Sequence, residues 1–353
     1  MPILGSRGAA SAKGFGFTNR SLGEFLATSH LNSPQVTVYP WLATGFGAKI
    51  SNPGTLPSGT SAICVSFSPN GKAIAVGNST SPYINAYAWS SAGFGTKYSD
   101  PSTLPTGEVN RVAFSPSSDA VAVVHNNSPY ITAYPWSSSG FGTKYSNPSP
   151  SLSNTANGVT FNNAGNAIAV AHFNSPNVTV WAWSSGFGTK YSDPSTLPPS
   201  GGDFVDFNNS DSSLVVTTVN SITPIAAYPW NNSTGFGAKY TNPTTDAGIN
   251  GGSSFSPDGA DIVMVGNDSP IVVGYTWSTA TGFGTKYTNP SPPGGAAYSV
   301  GFNASGNAVA VGHQNSPYIT VYPWASGTGF GTKYSNPTIT PTGGVGGVSF
   351  VRT

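Results

Sequence analysis

Four histidines, one cysteine, a close pair of aspartates and a repeated lysine carry most of the reactive chemistry in this 353-residue chain. His30, His125, His172 and His313 hold matching places in successive segments. A metal site needs several ligands converging to about 2 Å on one ion, and no second His or Cys stands near any of the four in sequence. A hydrogen bond inside a loop is the role expected of each. Cys64 lies in the apolar run Ile63-Cys64-Val65, which suits a buried, inert thiol better than a nucleophile. Asp203 and Asp206 are expected to be solvated charges lining a channel, since no carboxylate pair recurs through the chain. There is no nucleophile elbow, two-histidine metal helix or phosphate loop. The sequence therefore reads as a non-enzyme, with no catalytic residue, cofactor or metal.

Two repeated sets have binding chemistry. Lys49, Lys97, Lys144, Lys190, Lys239, Lys286 and Lys333 could ring an anion such as phosphate, sialic acid or a DNA backbone. Lysine also blunts an exposed sheet edge against pairing with another sheet, and that role is expected here. Aromatic sets such as Trp136, Phe141 and Tyr145 could stack on sugars, and several equal sites would give a lectin its avidity. Filling the space between neighbouring repeats is the competing role, and it is the one expected of Trp41, Trp89, Trp136, Trp183, Trp230, Trp277 and Trp324.

Those tryptophans recur every 47 or 48 residues, each followed by a close variant of Gly-Phe-Gly-Thr-Lys-Tyr. So steady a period marks a repeat architecture. Each unit holds four strand signals. In the second unit these are Val65-Ser66-Phe67 before a Pro-Asn-Gly turn, the apolar run Ala73-Ile74-Ala75-Val76, then Tyr83-Ile84-Asn85-Ala86-Tyr87-Ala88-Trp89, and last Gly93-Phe94-Gly95-Thr96-Lys97-Tyr98. Period two places Tyr83, Tyr87 and Trp89 on one face of the third strand, and Phe94, Thr96 and Tyr98 together on the fourth. Seven such units predict an all-β, seven-bladed β-propeller of four-stranded antiparallel blades. The first unit lacks a first strand, and Val345-Gly346-Gly347-Val348-Ser349-Phe350 is a first strand with nothing after it. The ring is expected to close by the carboxy-terminal strand joining the first blade. Residues 21–353 form this single domain, and residues 1–20 form an amino-terminal arm whose Ile3, Leu4, Phe15 and Phe17 are candidate anchors.

Charged residues make up only 7% of the chain, against about 25% in ordinary soluble proteins. The net charge of +1 offers no general attraction to nucleic acid or an anionic membrane. No apolar run approaches the ~20 residues of a membrane helix, and no secretory signal pattern opens the chain.

Phe67-Ser68-Pro69-Asn70-Gly71 and Phe255-Ser256-Pro257-Asp258-Gly259 resemble the first hairpin of WD40-type blades. Ile319-Thr320-Val321-Tyr322-Pro323-Trp324 stands where that family has its third strand, with the Asp of the Trp-Asp pair replaced. The blades also resemble propeller proteins encoded by bacteriophages and marine viruses, rich in Asn-Ser-Pro-Tyr and Gly-Phe-Gly-Thr-Lys-Tyr. That resemblance implies a non-enzymatic structural or adhesive component of a virus particle, such as a decoration, tail or fibre-associated propeller. It would be extracellular when mature and partnered by other virion proteins. A multivalent carbohydrate-binding propeller facing host-surface glycans is the alternative. The expected interaction face carries Asn126, Asn127, Asn174 and Asn315 with Tyr83, Tyr130 and Tyr318.

Overall fold

The computed structural model describes residues 23–219, 224–243, 248 and 250–353. The expected arm, with Ile3, Leu4, Phe15 and Phe17, lies outside the described residues. Seven four-stranded antiparallel sheets surround a central axis. Blade two is representative, running outward from the axis as Ala62–Phe67, Ala73–Asn78, Ile84–Ser90 and Gly93–Lys97. In blade one the inner strand is Val345–Arg352, paired along Glu24–His30 from Glu24 opposite Arg352 to His30 opposite Val345. The ring thus closes as the sequence predicts.

Second strands such as Ala120–His125 and Ala167–His172 are buried along their whole length. Both faces of each blade pack on a neighbour, so these strands read as unbroken small and β-branched runs without a polar face. The core is accordingly divided among the blade interfaces. One cluster joins Ala75, Ile84 and Ala86 of blade two to Val112, Phe114 and Tyr134 of blade three.

The repeated tryptophan anchors each interface. Trp136 is only 7% exposed. Its ring meets Phe114 and Phe141 of its own blade and Tyr98 of the blade before, edge to face, at centroid separations of 5.2, 4.9 and 5.1 Å. The same contact from one blade's Tyr to the next blade's Trp closes the circle between Tyr334 and Trp41 at 5.0 Å. Gly140, at φ +95°, completes the fit, because a Cβ there would stand 3.0 Å from the Tyr98 ring.

Two details depart from simple alternation. Tyr83 lies outside the third strand at φ +68° and does not share a strand face with Tyr87 and Trp89. The fourth strands also come in two lengths. They span four or five residues in blades two, four and six, but only two in blades one, three, five and seven. The short ones face a third strand containing Pro40, Pro135, Pro229 or Pro323, where the others have Ala88, Ala182 or Thr276. The neighbouring Trp89 amide donates inward to Lys72 O, so the amide at position 88 points to the outer strand. Proline has no N–H to give at that position, and the edge pairing ends early.

Candidate functional site

Most inner strands begin with a register shift, between Val109 and Arg111 in blade three and between Gly202 and Val205 in blade five. A bulge of this kind re-aims side chains, and here it turns two successive residues toward the axis. Asn110 with Arg111, and Asp203 with Phe204, therefore all line the channel. The bulge also reconciles Asp203 with Asp206, which three residues apart on a regular strand would point to opposite faces.

The channel narrows into two chambers. The upper one has a volume of about 600 Å³ and opens on the end where second strands finish. Asn110, Asn157, Asp203 and Tyr298 supply its polar wall, while Leu31, Ile63 and Phe173 supply an apolar one. The lower chamber, about 350 Å³, is lined by Ser66, Thr160, Asp206, Ser254 and Ser349. Arg111 and Phe204 border both. The Arg111 guanidinium carbon sits 3.7 Å from the centre of the Phe204 ring, a cation–π contact. Its Nη1 donates across the axis to Gly346 O at 3.2 Å, and Nε has no partner among the described residues.

The electrostatics follow from this enclosure. Burial pushes the Asp203 carboxyl up to about 6, partly opposed by the nearby Arg111 charge. Asp206 rises to about 7 through burial, opposed by hydrogen bonds from the Phe255 and Phe207 amides. Neither aspartate is thus the freely solvated charge that the sequence suggests. Arg111 and Phe204 escape a motif search because they belong to no motif. Their signal is a break in the repeat, since Cys64, Gly158, Gly252, Ser299 and Gly347 hold the equivalent place in the other blades.

The remaining candidates have local roles. In each histidine loop Nε2 meets a third-strand threonine hydroxyl: His30 with Thr37, His125 with Thr132, His172 with Thr179 and His313 with Thr320, at 2.9–3.0 Å. Burial pulls all four rings down to about 4. The lysines turn back on their own repeat. Lys97 pairs with Asp100 at 2.5 Å and Lys190 with Asp193 at 2.6 Å, while Lys239 reaches Asn242 at 2.6 Å. Cys64 is buried, and its thiol is pushed up to about 12. Asn126, Asn127, Asn174 and Asn315 are exposed at the open end of the upper chamber. Three of these side chains tie loop to loop: Asn126 accepts from Asn110, Asn127 donates to Thr106 O, and Asn174 accepts from Asn154. Tyr83, Tyr130 and Tyr318 are half-buried, each at φ 67–68°.

No protein-family model matches the chain, and no curated protein does. Solved structures match it in fold. A protein of Bacteroides uniformis provisionally named a 6-phosphogluconolactonase gives a TM-score of 0.73 at 14% identity, over 94% of this chain and 99% of that one. Its counterpart from Bacteroides fragilis gives 0.72 at 13%, over 95% and 99%. The periplasmic gluconolactonase of Pseudomonas aeruginosa gives 0.70 at 14%, over 94% and 99%. At such identities the likeness establishes the fold. These findings correct the expectation of a non-enzymatic virion component, because these three structures bear the names of enzymes and not of virus-particle proteins. The repeated tryptophans, at 4–7% exposure, pack between blades as expected and present no platform on which a sugar could stack.

Proposed function

We propose that the chain hydrolyses small lactones in the upper chamber. The observation that carries this reading is that one carboxylate, Asp203, and one guanidinium, Arg111, lie on the same wall of an otherwise uncharged, amide-rich cavity, near enough to attract each other. The names of the similar structures agree with it. In this mechanism ionised Asp203 removes a proton from a water molecule as the water oxygen attacks the lactone carbonyl. The carbonyl oxygen gains negative charge, which Arg111 stabilises as an oriented donor, helped by the Asn157 amide, whose nitrogen gives one N–H to Gly202 O and has a second to offer. The ring C–O bond then breaks, and Asp203 returns its proton to the departing ring oxygen. The product is the open hydroxy acid, and the protein is unchanged.

Burial gives Asp203 an acidity suited to the task, since a general base works best with a pKa near the operating pH. Hydrolysis of glucono-δ-lactone should be followed against a protein-free blank. Asp203→Asn should lower kcat by about 10²–10⁴-fold, and Arg111→Gln by about 10²–10³-fold. The wild-type rate should climb as pH rises through about 6, where Asp203 ionises. A wild-type rate indistinguishable from the blank, across unsubstituted and substituted lactones, overturns the reading.

A further inference from the structure

Resting on that reading of the upper chamber, we infer that its ligand is an uncharged lactone bearing an apolar substituent, and not a phosphorylated one. Charge gives the first argument. Arg111 is the single cation among the described residues lining the chamber; it already engages the Phe204 ring and Gly346 O, and Asp203 lies near enough to offset its charge. With Asp203 ionised the wall is neutral. A phosphate dianion would bring two negative charges beside a carboxylate inside a water-poor cavity, where like charges repel more strongly than in water.

The distribution of apolar surface gives the second argument. Where blades one and two meet the chamber, they present Leu31, Ile63 and the bare backbone of Gly346. Asn110 and Asn157 face the chamber from blades three and four. Leu31 is 48% exposed and Phe173 is 42% exposed. Large apolar side chains at the lip of a cavity mark where a ligand is covered. A cavity of about 600 Å³ also falls within the roughly 300–1,000 Å³ that takes drug-sized ligands, leaving room for a lactone ring and a chain. The ring would sit among the amides beneath Phe173 of blade four, with its substituent directed to Leu31 and Ile63.

The test compares kcat/KM for δ-valerolactone, δ-hexalactone, δ-nonalactone, glucono-δ-lactone and 6-phosphoglucono-δ-lactone. About 0.8 kcal/mol per buried methylene converts to a rise of about fourfold per carbon, until the chain leaves the wall. δ-Nonalactone should therefore exceed δ-valerolactone by about a hundredfold or more. The phosphorylated lactone should fall at least tenfold below its unphosphorylated parent. Leu31→Asp alters an exposed side chain and so spares the fold, and it should flatten the chain-length series. A phosphorylated lactone that outperforms both the sugar lactone and the alkyl series sinks this inference while leaving lactone hydrolysis standing.

If no lactone is turned over, the hydrolysis reading falls and calorimetric binding decides the ligand class. Saturable binding of a δ-alkyl lactam, lost in Leu31→Asp, supports the inference. Binding of 6-phosphogluconate in its place, or of neither compound, overturns it.

Discussion

At the residue scale a buried polar exception to the repeat can bring its partners with it. Asp261 is fully buried at a position held by Ala73, Ala120, Ala167 and Ala308 elsewhere. It accepts Tyr287 Oη at 2.5 Å and Trp324 Nε1 at 3.3 Å, so the carboxylate is bonded where those alanines need no bond. Tryptophan carries the larger share of interface packing. Trp136→Ala should destabilise the fold by about 3–5 kcal/mol from lost transfer energy and the cavity left among Tyr98, Phe114 and Phe141. Chemical denaturation measures this, and a loss below one kcal/mol would contradict an anchoring role. The histidines set the response to acid. Their folded values, about 4, lie below the ordinary 6.5. The unfolded chain therefore binds more protons in between, so stability is full above pH 6.5 and drains as pH falls toward 4. Each ring accounts for on the order of 3 kcal/mol across that window. Asp203 and Asp206 act in the opposite sense. Raised to about 6 and 7 from 3.8, they add stability as pH falls, but two such groups oppose four histidines. The melting temperature should drop between pH 6.5 and 4.5, with a smaller drop in His125→Gln. An identical drop in that variant would place the acid sensitivity elsewhere.

At the element scale, strand identity follows from pattern and strand ends follow from single residues. The continuous apolar second strand and the Ser-Pro-Asn-Gly turn are legible because burial on two faces and a tight turn each restrict composition. The bulge that opens the inner strand leaves no such mark. Asn110-Arg111 looks like any polar pair, and only the pairing of Val109 with His125 and of Arg111 with Val124 reveals that both side chains face the axis. This is why Asp203 and Asp206 are visible in the sequence while Arg111 and Phe204, which complete the site, are not. The proline effect on the outer strand makes a further prediction. In Pro135→Ala a new amide points toward the residues after Phe141, as the Ala88 amide does in blade two. Hydrogen exchange at residue 135 should be slowed well beyond that of an exposed loop amide, and blade three should acquire an outer strand longer than Gly140–Phe141. Unprotected exchange there would mean that another feature sets the strand's length.

At the scale of the whole molecule, seven weakly different units are held in one closed circuit. Blade number and closure are readable because a period of 47 residues and two complementary ends leave little topological freedom. Function is less readable, since the channel is assembled from one or two residues of each blade and most of those vary between repeats. Deleting residues 344–353 should leave the Glu24–His30 strand without its inner neighbour, exposing a long edge open to pairing with other chains. Aggregation or a large loss of stability is expected, and a monomeric, cooperatively folding product would refute closure as a main source of stability. That closing strand also has a temporal meaning. Gly346, whose carbonyl receives Arg111, leaves the ribosome 235 residues after it, roughly 10–50 s later at ~5–20 residues per second. Once Asp203 too has emerged, the nascent chain holds both residues without the last wall of their chamber, so ligand recognition waits on the closing strand.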